Sequence, residues 1–146
     1  MRILVVEDDL IVGRLLKDFI YDQGFSAEFV GRWTDGAKLI LSKAYDIIVL
    51  DLTLPDGDGV DLLELARLKQ PETPVTVITA RQDFAFGELF DPYPNLAAVF
   101  RKTSRIEDAC GFIVHEARKR RKLWGDGGAT TPRPRLVDGA NGLGRT

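Results

Sequence analysis

Acidic, hydroxyl and amino side chains recur in this chain at one kind of place, the downstream end of a short apolar run. Glu7, Asp8 and Asp9 follow Arg2 to Val6, Asp51 follows Asp46 to Leu50, which is apolar after its first residue, Thr79 closes Val75 to Thr79, and Lys102 comes just after Leu96 to Phe100. Carboxylates gathered at one site repel each other, and without a counter-charge at least one must take up a proton. A divalent cation removes the conflict, and oxygen-only ligands with room for water suit Mg2+ better than zinc or copper. A carboxylate held rigidly at a strand tip can act as a nucleophile toward phosphorus, forming an acyl phosphate. Asp51 fits that role. Lys102 would pair with that carboxylate and with the transferred group, and the Thr79 hydroxyl would donate to a phosphoryl oxygen.

These residues meet only if the fold brings the ends of the runs together. The runs are rich in Val, Ile and Leu and lack polar alternation, which reads as parallel strands buried on both faces. Between them lie helical patterns. Asp9 to Gln23 has apolar residues at helical spacing and a left-handed stop available at Gly24, and Asp35 to Lys43 and Val60 to Gln70 follow suit. Phe25 to Val30 reads as a further strand, and Pro55, Gly57 and Gly59 as a loop. Ser104 and Glu107 form a capping box for a last helix with the stripe Ile106, Ala109, Cys110, Ile113, Val114 and Ala117, ending near Arg121. Five strands alternating with helices imply an α/β three-layer sandwich, in which ligands collect at the strand C-terminal ends. That rule joins Glu7, Asp8, Asp51 and Thr79. Asp9 and Asp58 read as helix-start residues, Cys110 as core and His115 as an exposed residue.

Composition narrows the alternatives. No stretch approaches the roughly 20 apolar residues of a membrane helix, and nothing at the start resembles a signal peptide, so a cytoplasmic protein without membrane contact is expected. One cysteine and one histidine exclude an internal disulfide and make a Cys/His zinc site implausible. The net charge of −2 conceals an acidic body and a basic end. Residues 122–146, rich in Gly, Pro and Arg, read as a flexible tail beyond a domain spanning 1–121. Clustered charge without interleaved aromatics does not signal a nucleic-acid partner.

The segments Ile3-Leu4-Val5-Val6-Glu7-Asp8-Asp9, Val49-Leu50-Asp51-Leu52-Thr53-Leu54-Pro55-Asp56-Gly57-Asp58-Gly59 and Ile78-Thr79-Ala80 together resemble the receiver domain of bacterial two-component response regulators. The resemblance implies a flavodoxin-like (βα)5 fold with strand order 2-1-3-4-5. It implies phosphorylation of Asp51 and Mg2+ held by Asp8, Asp51 and the Thr53 carbonyl, with Glu7 acting mainly through water. Thr79 and Lys102 match the switch hydroxyl and the lysine. Implied partners are a histidine kinase or histidine phosphotransfer protein and a downstream protein target, with a homodimer left open. No output domain is expected after Arg121, and no turnover of an external substrate. A phosphorylation-independent interaction module with the same fold, working through Gln82 to Asn95, is the alternative.

Three departures from the family pattern concern the readout. Thr103 stands where a proline commonly follows the lysine. Val99 occupies the usual aromatic position, and alternation sends Phe100 to the opposite face, leaving Phe84, Phe86, Phe90 or Tyr93 as replacements. Gly87, Pro92 and Pro94 leave room only for a short or irregular fourth helix. Arg81 and Thr53 are further expected to tune hydrolysis of the phosphoryl group.

Overall fold

The computed structural model describes residues 1–124 apart from Phe84, Phe86 and Ser104; of Trp124 only the backbone is described. In chain order the elements are β1 (Ile3–Val6), α1 (Leu10–Asp22), β2 (Glu28–Val30), α2 (Trp33–Ser42), β3 (Ile47–Leu50), β4 (Thr53–Leu54), β5 (Gly57–Asp58), α3 (Gly59–Lys69), β6 (Val75–Thr79), α4 (Gly87–Phe90), β7 (Leu96–Arg101) and α5 (Ile106–Trp124). Five strands form one parallel sheet in the order β2-β1-β3-β6-β7, which is 2-1-3-4-5 when only sheet strands are counted. The flavodoxin-like order expected from the resemblance is the one found.

Each central strand is buried on both faces because successive side chains alternate between two helical layers. Ile3 and Val5, with Ile47, Val49 and Ile78, pack against Leu16 and Ile20 of α1 and Cys110 and Ile113 of α5. Leu4 and Val6, with Ile48, Leu50, Val75 and Val77, pack against Ile40 of α2 and Leu62, Leu63 and Ala66 of α3. No helix among the described residues is long and apolar enough to cross a membrane.

Several boundaries differ from the sequence reading. Strand β2 begins at Glu28, since Phe25 turns into the core without joining the ladder. The expected loop at Pro55 to Gly59 supplies the turn and second strand of a two-stranded antiparallel hairpin that begins at Thr53, pairing Thr53 with Asp58 and Leu54 with Gly57. Helix α5 continues three residues past Arg121, while the rest of the expected tail and the Ser104 half of the capping box lie outside the described residues. Gly24 supplies the left-handed stop after α1, at φ 86°. Helix α4 is a single turn, as the prolines and Gly87 require.

At the pole away from the acids, Gln70 is 1% exposed and joins three elements. Its carbonyl accepts from the Tyr45 N–H at 2.8 Å, and its amide donates to the carbonyls of Ile40 at 2.9 Å and Lys43 at 2.7 Å, the loose end of α2. Removing the amide strands all three backbone groups. Gln70→Ala is therefore expected to cost about 3 kcal/mol in urea unfolding, more than a surface glutamine would.

Candidate functional site

The C-terminal ends of β1, β3, β6 and β7 meet at one pole, and a cleft of about 440 Å³ opens there between Asp8, Asp9, Asp51, Thr53, Arg81 and Lys102. Ligand oxygens of Glu7, Asp8 and Asp51 lie within 4.8 Å of one another. The side chains of Glu7 and Asp51 are each 3% exposed, whereas Asp8 faces solvent. The Lys102 ammonium stands 3.0 Å from Glu7 Oε2 and 3.0 Å from Asp51 Oδ2, bridging the two buried acids.

Lys102 reaches them without a proline behind it. Its N–H donates to the Thr79 carbonyl at 2.9 Å, extending the β6–β7 pairing by one step, and no peptide bond among the described residues is cis. The ladder itself sets the lysine's place.

One ammonium does not balance the cluster. Burial, and then the hydrogen bond and charge of Asp51, push the Glu7 carboxyl up to about 8, against the opposing bonds from the Asp9 N–H and Lys102. Lys102 is itself raised: its two acidic partners outweigh the largest single influence, burial, which acts to lower it. Two buried acids sharing one ammonium, one of them pushed upward, leave room for more positive charge. The donors are all oxygen, and the most exposed of the three acids, Asp8, lines the cleft. These residues fit a hard divalent cation such as Mg2+.

The loop after β3 orients the acceptor. Thr53 N–H donates to Asp51 Oδ1 at 3.1 Å, and Gly59 N–H to the Leu52 carbonyl at 2.8 Å. A Cβ at Gly59 would lie 2.3 Å from the Asp51 carbonyl oxygen and 2.5 Å from Leu52 Cα, so only glycine permits this return. Asp9 and Asp58 serve as the N-caps of α1 and α3, Asp9 accepting from the Ile11 and Val12 N–H groups and Asp58 from the Val60 N–H, as the sequence suggests.

Thr79 is fully buried and its hydroxyl accepts from the Arg81 N–H at 3.1 Å, so it stands behind the cleft wall. Arg81 lines the cleft, and its guanidinium pairs with Asp58 at 2.8 Å and Asp83 at 2.7 Å. Nothing in the sequence marks Asp58, 23 residues upstream, as its partner. Val99 packs with the α2–α3 layer and Phe100 with the α1–α5 layer, its ring 5.8 Å from that of Phe112. Of the four candidate replacement aromatics, Tyr93 packs partly buried beside Val99's cluster, Phe90 is 41% exposed, and Phe84 and Phe86 lie outside the described residues.

A family model described as the response regulator receiver domain matches residues 3–89. The chain is 41% identical over 81 residues to the transcriptional regulatory protein QseB of Escherichia coli O157:H7, covering 56% of this chain and 37% of that protein. It is 40% identical over 81 residues to the swarming motility regulation protein RssB of Serratia marcescens, again covering 37% of it. The chain thus spans little more than a third of the length of these relatives. Among solved structures, a CheY-like receiver domain protein from Methanospirillum hungatei superposes with a TM-score of 0.69 at 22% identity, over 83% of this chain and 96% of that one. The beryllofluoride-activated NtrC4 receiver domain dimer superposes at 0.67 and 24% identity, over 81% and 97%.

Proposed function

The chain belongs to the response regulator receiver domain family of two-component signalling, and from that premise we propose that it takes a phosphoryl group onto Asp51, in the cytoplasm, to switch a protein contact. The observation that carries this reading is the Lys102 ammonium held 3.0 Å from the Asp51 carboxylate within the cluster of Glu7, Asp8 and Asp51. In the transfer, an Asp51 oxygen bonds to phosphorus as the bond to the donor's phosphoramidate nitrogen or acyl oxygen breaks, the donor group leaving with its electron pair. Asp8, Asp51 and the Thr53 carbonyl would hold Mg2+, with Glu7 acting through water. When bound, that ion supplies neutralisation of charge on the transferred group. Lys102 stays paired with the acceptor, and the Thr79 hydroxyl leaves the Arg81 N–H to donate to a phosphoryl oxygen. Asp51 is a stoichiometric acceptor, so no external substrate is turned over.

Incubating the protein with acetyl phosphate and Mg2+, then mapping the label by peptide mass, tests the proposal. Label confined to Asp51 and dependent on Mg2+ is expected; none, or label elsewhere, sinks it.

The donor in the cell is proposed to be a histidine kinase or a histidine phosphotransfer protein. The support is an apolar rim beside the acids: Leu10 is 87% exposed, Ile11 73% and Leu15 46%, and with Phe29 and Pro55 they border a groove running from Asp8 along α1. Ile11→Glu is expected to slow transfer from the protein donor about tenfold or more relative to transfer from acetyl phosphate, as losing ~1.4 kcal/mol of docking would. Equal slowing with both donors would place docking elsewhere.

A further inference from the structure

Helix α2 has no cap of its own. Arg32 occupies the N-cap position and makes no side-chain capping bond. The cap comes from the hairpin instead: Asp56 Oδ1 accepts from the Trp33 N–H at 2.6 Å, and Oδ2 accepts from the Thr34 N–H at 3.2 Å and the Thr34 hydroxyl at 3.0 Å. The Arg32 guanidinium stands 3.8 Å from the same carboxylate. The indole of Trp33 lies flush against Gly57, where a Cβ would come within 2.7 Å of the ring, and its N–H donates to the Asp58 carbonyl at 3.0 Å.

Both ends of this fastening bear on the site. The hairpin strand opposite, Thr53–Leu54, is paired residue for residue with Gly57–Asp58, and the Thr53 N–H holds the acceptor carboxylate. Asp58 in turn caps α3 and receives Arg81 from the end of β6. The hairpin is thus gripped from α2 on one side and from β6 on the other, with Asp51 and Thr53 at its root. A cap serving α2 alone needs only a local Ser or Asp at position 32. Here the capping group is donated by the segment that carries the acceptor.

We infer that Trp33 and Asp56 are positioning residues for the phosphoryl site: the first turn of α2 holds the β4–β5 hairpin, and through it the Asp51–Thr53 segment, in the conformation that binds a divalent cation. The inference rests on the receiver reading proposed above. It assigns α2 a part in preorganising the site. A carbonyl ligand on an unfastened hairpin would have to be ordered at the moment of binding, and that cost appears as lost affinity.

The test is Mg2+ titration of the full chain, followed by calorimetry and by indole emission in a Trp124→Phe background, so that Trp33 alone reports. Asp56→Ala is expected to weaken Mg2+ binding fivefold or more, with Asp56→Asn, which retains one of the two acceptor oxygens for the helix N–H groups, recovering part of it. Trp33→Phe keeps the ring on Gly57 but loses the bond to Asp58, and an intermediate loss of affinity is expected by calorimetry. Trp33 emission in the Trp124→Phe chain should shift as Mg2+ is added. A merely structural cap would lower the melting temperature and leave the Mg2+ dissociation constant within twofold in Asp56→Ala and Trp33→Phe, and that result overturns the inference alone. Failure of the wild-type chain to bind Mg2+ removes this inference together with the receiver-site reading.

Discussion

Asp51→Asn is expected to take up no phosphoryl group from acetyl phosphate and, in the absence of Mg2+, to unfold at a higher urea concentration than the wild type. The two outcomes share one cause. Asp51 is a buried carboxylate beside a second one, Glu7, whose proton is held up to about 8 first by burial and then by Asp51 itself. An amide at 51 removes the nucleophilic charge and with it the repulsion, while the 3.0 Å pair of Lys102 with Glu7 remains. A gain of about 1 kcal/mol near pH 8 is expected, of the size that function-bearing charges commonly cost a fold. The sign of the pH dependence follows from Glu7. A carboxyl with a folded pKa above its ordinary 4.5 favours the folded state through its bound proton. That contribution is complete below 4.5 and declines as pH rises toward 8. The metal-free wild type should lose stability across that interval and Asp51→Asn should lose less, the two curves converging at the acid end. Parallel curves would show that the acids do not repel as their spacing requires.

Lys102→Ala is expected to act in the opposite sense. Its side chain is 17% exposed and, among the described residues, is the one ammonium bonded to both buried acids. Taking one member from a buried ionic cluster leaves uncompensated charge and costs roughly 4 kcal/mol. The deficit should be largest in EDTA above neutral pH. It should shrink when Mg2+ is added or when Glu7 is protonated at pH 5, because each returns the missing positive charge. Urea unfolding at two pH values with and without Mg2+ measures all four cases. A deficit equal in the four would mean that the lysine contributes packing of its methylenes and little else.

The sheet and the site core were legible in the sequence because apolar runs without alternation mark doubly buried strands, and their ends in Glu7, Asp8, Asp51 and Thr79 mark the pole where they meet. Period-two alternation also placed Val99 and Phe100 in opposite layers. The cross-links were illegible. Asp56 sits in a run of turn residues and reads as one, although its carboxylate serves N–H groups 22 and 23 positions earlier. Gln70 ends a helix like any polar residue, yet its amide closes α2 from 27 and 30 positions away. Arg81 and Asp58 are likewise brought together only by the folded chain. Local propensity and periodicity report which face a residue occupies, and such bonds depend on which loops the finished topology makes neighbours.

The lower end of α5 is fastened to the α1–β2 turn: Arg121 lies 4.0 Å over the Phe25 ring and donates to the Gly24 carbonyl at 3.3 Å, and Arg118 bonds Gln23. That turn precedes β2, so it belongs to the pole opposite the acids. For anyone tethering the molecule to a sensor surface, the consequence is one of geometry: a link placed at position 124 leaves from the underside, and the Asp51 cleft points outward toward whatever flows past.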